Sequence, residues 1–190
     1  MSGLAGIVLA AGISSRFGAD NKLLADYGGQ AMVRGVVEAA LAADLEPVIV
    51  VTGHEADDVR QALSGLDVDF AHNADFATGQ AGSLKTGIAA VPQACTGAMI
   101  LLADMPAVNV AIINRLVGEF ADEACIVVPR HEGKRGNPVI LGRGTFAGLE
   151  KTSGDRGARN LLAGDNVRMI DIDTDAVLRD FDTPESLQDH

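Results

Sequence analysis

This chain is short of cysteine, of positive charge and of long apolar runs. Its two cysteines, Cys95 and Cys125, are far apart in sequence. Neither has a second cysteine at metal-ligand spacing, which excludes a disulfide framework or a zinc ribbon. The expectation is a pair of reduced structural thiols in a cytoplasmic protein. Fifteen Lys and Arg face 26 Asp and Glu, for a net charge of −11. That balance argues against general nucleic-acid binding and against an anionic membrane surface as partner. No stretch is long enough to span a membrane. The apolar N-terminus has no basic n-region and is too short for a signal peptide. The four histidines, His54, His72, His131 and His190, show no metal-ligand spacing. No Ser, Cys or His arrangement suggests a covalent nucleophile. The dinucleotide fingerprint G-x-G-x-x-G and the P-loop G-x-x-x-x-G-K-[ST] are both absent.

What is present is a regular alternation of apolar strands and amphipathic helices. At 190 residues the chain reads as one domain, 1–190, large enough for a real core. Ile7-Val8-Leu9, Pro47–Thr52 and Met99–Leu102 are apolar without alternation, as strands covered on both faces are. Val68–Ala71, Ile126–Val128, Pro138–Leu141 and Val167–Ile172 read as further strands. Met32, Val33, Val36, Val37, Ala40 and Leu41 share one helical face. Residues 55–63, a segment starting at Ser83 with Leu84, Ile88 and Val91 inward, Ile112–Phe120 and 158–162 are the other expected helices. This order predicts an α/β fold, a single three-layer Rossmann-like domain with a mostly parallel sheet.

The first strand runs into Leu9-Ala10-Ala11-Gly12-Ile13-Ser14-Ser15-Arg16-Phe17-Gly18, with Lys22-Leu23-Leu24 close behind. Small residues let backbone N–H groups approach a ligand, and Arg16 and Lys22 add positive charge. A phosphate-rich ligand fits such a loop. A glycine after a first strand also serves turn geometry alone, but L-A-A-G-x-S-S-R-x-G-x-x-x-K-L-L is a far more specific pattern.

Four other segments stand out. Asp104, in Leu102-Ala103-Asp104-Met105-Pro106, lies where a buried strand meets a loop, the place where open α/β sheets bind ligands. It suits a divalent cation, or the cap of the next helix. Asp182, in Asp180-Phe181-Asp182-Thr183-Pro184, suits a second oxygen ligand or an N-cap. Gly79-Gln80-Ala81-Gly82-Ser83 leads into a helix, and Ser83 is either a ligand contact or that helix's cap. Lys134-Arg135-Gly136-Asn137-Pro138 reads as a basic hairpin tip or an anion site. Gly154-Asp155-Arg156-Gly157-Ala158-Arg159 reads as an anion site or a charged helix face.

In order and spacing these segments resemble the molybdopterin nucleotidyltransferases, the MobA-like NTP transferases of the nucleotide-diphospho-sugar transferase fold. The first loop is similar to that family's signature, and A-D-M-P with a later D-T-P is similar to its metal-binding pair. The resemblance implies a molybdenum-cofactor cytidylyltransferase. CMP would pass from CTP to the phosphate of molybdopterin, with release of pyrophosphate. It implies catalytic roles for Arg16, Lys22 and Asp104, and Mg²⁺ or Mn²⁺ held by Asp104 and Asp182. Leu9, Ala10, Ala11, Gly12, Asn73, Gln80 and Ser83 would bind the nucleotide. Lys134, Arg135, Asn137, Asp155, Arg156 and Arg159 would bind the phosphorylated pterin, and a molybdoenzyme would receive the product. Members using CTP resemble L-A-A-G, as at Leu9–Gly12, and those using GTP resemble L-A-G-G. Two alternatives stay open. One is a guanylyltransferase, or a nucleotidyltransferase acting on another small phosphorylated acceptor. The other is a non-catalytic carrier or insertion chaperone for the molybdenum cofactor.

Overall fold

The computed structural model describes residues 3–13, 21–150, 164 and 166–181. Its strands are β1 (Leu4–Ala10), β2 (Asp26–Tyr27), β3 (Gln30–Ala31), β4 (Leu45–Thr52), β5 (Asp69–His72), β6 (Gly97–Leu102), β7 (Ile126–His131), β8 (Lys134–Arg135), β9 (Val139–Gly142) and β10 (Val167–Asp171). Its helices are α1 (Met32–Leu41), α2 (Ala56–Ala62), α3 (Gln80–Ala90), α4 (Val110–Val117) and α5 (Phe146–Glu150).

The main sheet runs β10-β7-β9-β6-β1-β4-β5, with β8 paired to β7. β1 lies at its centre, parallel to β4 on one side and β6 on the other. The inner strands β1 and β6 are apolar throughout because each face of the sheet has its own core. Val8, Val48, Val50, Met99 and Leu101 point to one side, under α1, α2 and α4. Their neighbours Ile7, Ile49, Val51, Ala98 and Ile100 point to the other, under α3 and α5. The two-residue side-chain period of a strand divides one run between two cores. α1 fits its face as the sequence pattern implies: Met32, Val33, Val36, Val37 and Ala40 are buried, and Arg34 pairs with Glu38 at i,i+4 outside. The expected three-layer, mostly parallel architecture is present.

Several boundaries differ from the sequence reading. β9 runs antiparallel to both β6 and β7, because its connection from β7 is a short hairpin rather than a crossover helix. The segment 131–137 is not simply a loop. Glu132 and Gly133, at φ 47° and 79°, form the tight turn that returns β8 onto β7. α3 starts at Gln80, three residues before Ser83, because Gly79 at φ 112° turns the chain directly into the helix. β5 starts at Asp69 rather than Val68, α4 ends at Val117 rather than Phe120, and β10 stops at Asp171. The expected helix at 158–162 lies outside the described residues.

Both cysteines are free and buried. Burial pushes the Cys95 thiol above its ordinary pKa, against the opposing charge of Arg143.

Gly87 and Gly136 are among the glycines that packing demands. A Cβ on Gly87 would stand 2.5 Å from Ile7 Cγ2 and 3.0 Å from Val51 Cγ2, so this glycine lets α3 lie directly on the sheet. A Cβ on Gly136 would run into the backbone carbonyl of Val177, and the next residue's N–H donates to that same oxygen at 2.8 Å. Gly136→Ala is therefore expected to destabilise the fold by about 2–3 kcal/mol, the upper range for forced overpacking. Urea unfolding of the two proteins checks this. An unchanged midpoint would mean that the 136–177 contact yields without cost.

Candidate active site

The C-terminal ends of β1, β4, β5 and β6 form one crest, and backbone bonds join them across it. Asn73 N–H donates to Thr52 O at 2.8 Å, His54 N–H to Ala11 O at 3.5 Å, and Ala103 N–H to Leu9 O at 3.2 Å. Four loops are thus held in fixed order. Leu9, Ala10, Ala11 and Gly12 end the central strand, with Gly53-His54 and Asn73 on one side and Asp104 on the other.

Gly53 is required by crowding, since a Cβ there would meet Phe76 Cβ at 2.5 Å and Ala11 Cβ at 2.8 Å. Gly12 is different. It has no positive φ, and among the described residues a Cβ there would meet nothing within 4 Å. Ala11 is buried and its methyl packs inside the protein beside Gly53. Its methyl therefore does not narrow a base pocket by bulk. Any effect on a base must pass through the backbone.

Lys22 and Asp104 meet directly. Lys22 Nζ lies 2.7 Å from Asp104 Oδ2, with both side chains largely shielded. Asn21 caps the short turn before Lys22 by accepting from Leu23 N–H at 3.0 Å, and the Leu23 side chain is buried in the core. The ammonium is therefore aimed by an anchored turn. Asp104's own carbonyl accepts from Phe181 N–H at 3.0 Å. Phe181 is buried and packs edge-on to Tyr27 at 5.3 Å. The chain entering D-T-P is in this way fastened to the residue that carries the carboxylate. Asp182 itself lies outside the described residues, as do Arg16, Asp155, Arg156 and Arg159.

Asn137 and Pro138 line a narrow void with Val36, Leu102, Met105 and Val108, too tight for a water, and Asp104 is not part of its lining. Lys134 and Arg135 are exposed on β8 and make no ion pair among the described residues. The base of their hairpin is secured by Arg130, whose guanidinium forks onto Asp171 at 2.7 and 2.8 Å. That bond, first of all, holds the Asp171 carboxyl below its ordinary pKa. His131 Nδ1 donates to Ile172 O at 2.8 Å.

Asn73 and Ser83, both read from sequence as nucleotide contacts, are bonded to each other. Asn73 Nδ2 donates to Ser83 Oγ at 3.0 Å, and Asn73 Oδ1 accepts from Asp75 N–H at 3.1 Å. Both residues are buried. Ser83 lies inside α3 and does not cap it, and Gly79 stands at the cap with no side-chain bond. The first N–H groups of α3, at Gln80 and its neighbours, are thereby left for an outside acceptor. Sequence reasoning did not anticipate the Lys22–Asp104 pair or the Asn73–Ser83 bond. Their partners stand 82 and 10 residues apart, and no local pattern signals either.

Comparison with known proteins identifies the family. Residues 6–170 match the MobA-like NTP transferase domain. The chain belongs to that family of nucleotidyltransferases. Over 96% of its length it is 29% identical to nicotine blue oxidoreductase of Paenarthrobacter nicotinovorans and 30% identical to purine catabolism protein PucB of Bacillus subtilis, each covered to 93%. Over 62% of its length it is 36% identical to a probable molybdenum cofactor guanylyltransferase of Haloferax mediterranei, of which 55% is covered. Among solved structures, Rv0371c of Mycobacterium tuberculosis superposes with a TM-score of 0.86 at 27% identity, covering 99% of this chain and 97% of that one. A complex of Rv0371c with manganese superposes at 0.76 and 28% identity, covering 90% and 89%. No helix among the described residues is long and apolar enough to cross a membrane.

The Asn73–Ser83 bond generates a prediction. Asn73→Ala and Ser83→Ala are each expected to lower stability by about 1–2 kcal/mol, the range for losing one buried hydrogen bond. The double variant should lose clearly less than the sum, because both remove the same bond. A double-mutant cycle in urea measures this, and simple additivity would show that the two side chains act separately.

Proposed function

We propose that this chain transfers CMP from CTP to the phosphate of molybdopterin and releases pyrophosphate. The observation that carries the reading is the Asp104 carboxylate just past the end of β6, with Lys22 at 2.7 Å, beside the end of β1. In this reading an oxygen of the acceptor phosphate attacks the α-phosphorus of the nucleotide. The bond from the α-phosphorus to its bridging oxygen breaks, and pyrophosphate carries the electron pair away. Positioning and charge neutralisation do the catalytic work. Lys22 and Arg16 hold the triphosphate and balance the charge that grows on the leaving group. The backbone of Leu9 to Gly12, with Gln80 at the start of α3, receives the nucleoside. Asn73 and Ser83 hold that helix start in place. Asn137 and the exposed cations Lys134 and Arg135 face the acceptor, together with Asp155, Arg156 and Arg159. The product would pass to a molybdoenzyme.

The residues present fit a divalent cation. Asp104 offers a hard carboxylate oxygen in a place that already attracts a positive charge. Among the described residues no group of three or more side chains could enclose a metal. That suits Mg²⁺ or Mn²⁺, which take one or two carboxylates and fill the remaining positions with phosphate oxygens and water. Asp104, with Asp182 as its proposed companion, would hold the ion, which when bound draws negative charge off the phosphates. The manganese complex of Rv0371c supports this choice.

A second nucleotide has a specific observation behind it. The haloarchaeal relative is named a guanylyltransferase, so GTP is the rival donor. The name of the Paenarthrobacter relative adds reduction of a substrate as a rival of another class. The experiment is pyrophosphate release with each NTP against phosphorylated acceptors including molybdopterin, with oxidation of reduced nicotinamide followed in parallel. Release with CTP above all is the expected result. Better use of GTP overturns the choice of base alone. Nucleotide binding without pyrophosphate release favours a cofactor carrier, and nicotinamide oxidation without it favours the reductase.

Two variants sharpen the reading. Asp104→Ala should fold nearly as well as the parent and lose turnover by about a thousandfold or more, since metal-assisted charge stabilisation supplies several kcal/mol. Pyrophosphate release near the parent's rate would remove Asp104 from the chemistry. Ala11→Gly should shift the ratio of kcat/KM for CTP and GTP partly toward GTP, by at most about tenfold, since one methyl and its backbone constraint discriminate weakly. An unchanged ratio would place base selection elsewhere, at Gln80 and the segment after it.

A further inference from the structure

We propose that Lys22 is the resident cation of the Asp104 site, and that a divalent metal gains the site only together with nucleotide. The inference rests on the metal role of Asp104 argued above. Lys22 Nζ is 2.7 Å from Asp104 Oδ2, the distance of a charge-assisted hydrogen bond. The two side chains are 13% and 21% exposed, so solvent screens the pair only in part. A metal bound to the same carboxylate would sit about 2.0–2.1 Å from an oxygen. An ammonium within hydrogen-bond distance of that carboxylate would then lie a few ångströms from a dication. Two cations that close repel strongly, so one displaces the other.

The chain has a built route for the displacement. Lys22 stands on a turn anchored by Asn21 and the buried Leu23, so its backbone stays while its long side chain can swing. Phosphates bound at the Leu9–Gly12 loop would give the ammonium a new anionic partner and give the metal additional oxygens. Metal and nucleotide therefore favour each other's binding, and by linkage the coupling acts equally in both directions. The true substrate in this view is the metal–nucleotide chelate. Free metal alone meets a site already neutralised by the protein's own cation.

The test is binding of Mn²⁺ without nucleotide, read by the electron paramagnetic resonance signal of the free ion. Parent protein should bind weakly. Lys22→Met should bind about tenfold more tightly, the low end for removing a charged competitor from a partly buried carboxylate. The gain should vanish in the Lys22→Met, Asp104→Asn double variant. Lys22→Arg, which keeps the charge, and Lys134→Met, which removes a charge elsewhere, should both behave as the parent does. A non-hydrolysable CTP analogue should tighten Mn²⁺ binding to the parent, and tighten it less in Lys22→Met. Where Lys22→Met fails to fold, Lys22→Gln makes the same comparison. Equal Mn²⁺ affinity in parent and Lys22 variants, with Asp104→Asn weakening both, overturns the inference and leaves the metal role of Asp104 standing. Binding indifferent to Asp104→Asn in every background overturns both.

Discussion

Enclosure of β1 on every side is the constraint from which the molecule follows. It has a parallel strand on each edge and a helical layer on each face. Its side chains are buried, Leu9 alone only in part. The only place where this strand can meet a ligand is its C-terminal end. There the neighbours are already fixed, because parallel partners end on the same side. Asp104 and the 53–54 turn arrive beside Gly12 as a consequence of strand direction, before any side chain has been chosen for chemistry.

The crest made in this way is rigid where it holds and open where it receives. Gly53 is glycine because Ala11 and Phe76 leave no room for a side chain. At Gly12, one strand away, no described residue comes within 4 Å of where a Cβ would stand. Asn73 and Ser83 follow a similar division. Their polar atoms face each other, and what they leave exposed is the backbone of the helix start. The structure adds to the sequence reading of this pair that its two side chains bond to each other.

Much of the fold was legible because it rests on local periodicity. The unbroken apolar runs at Ile7–Leu9, Pro47–Thr52 and Met99–Leu102 announce strands covered on both faces, and the 3.6-residue spacing in Met32–Ala40 announces α1. The reversed strand β9 was not legible, since an apolar run carries no sign of its direction. The start of α3 was misplaced because Ser83 is a good cap by type, while the operative signal was the conformation of Gly79. Of the candidate site, Asp104 and Lys22 were legible as chemistry from the strand-end position and the loop pattern. Their contact was not, because it joins two loops through the sheet's topology. Asn137 is the intermediate case: its motif marked it, and the structure sets it beside Leu102 and Met105 without joining it to Asp104.

The two thiols, one buried on each face of the sheet, have one practical result. A cysteine placed on the surface of this protein would be the only one a mild alkylating reagent meets readily, since reaction requires an accessible thiolate. The β7–β8 hairpin carries an exposed tip on a secured base, which makes it a natural anchorage for a spectroscopic label. A spin label there, paired with a paramagnetic ion at the strand ends, would turn the distance between acceptor hairpin and metal into a ruler reading in solution. The chain reaches that experiment with no native cysteine to remove.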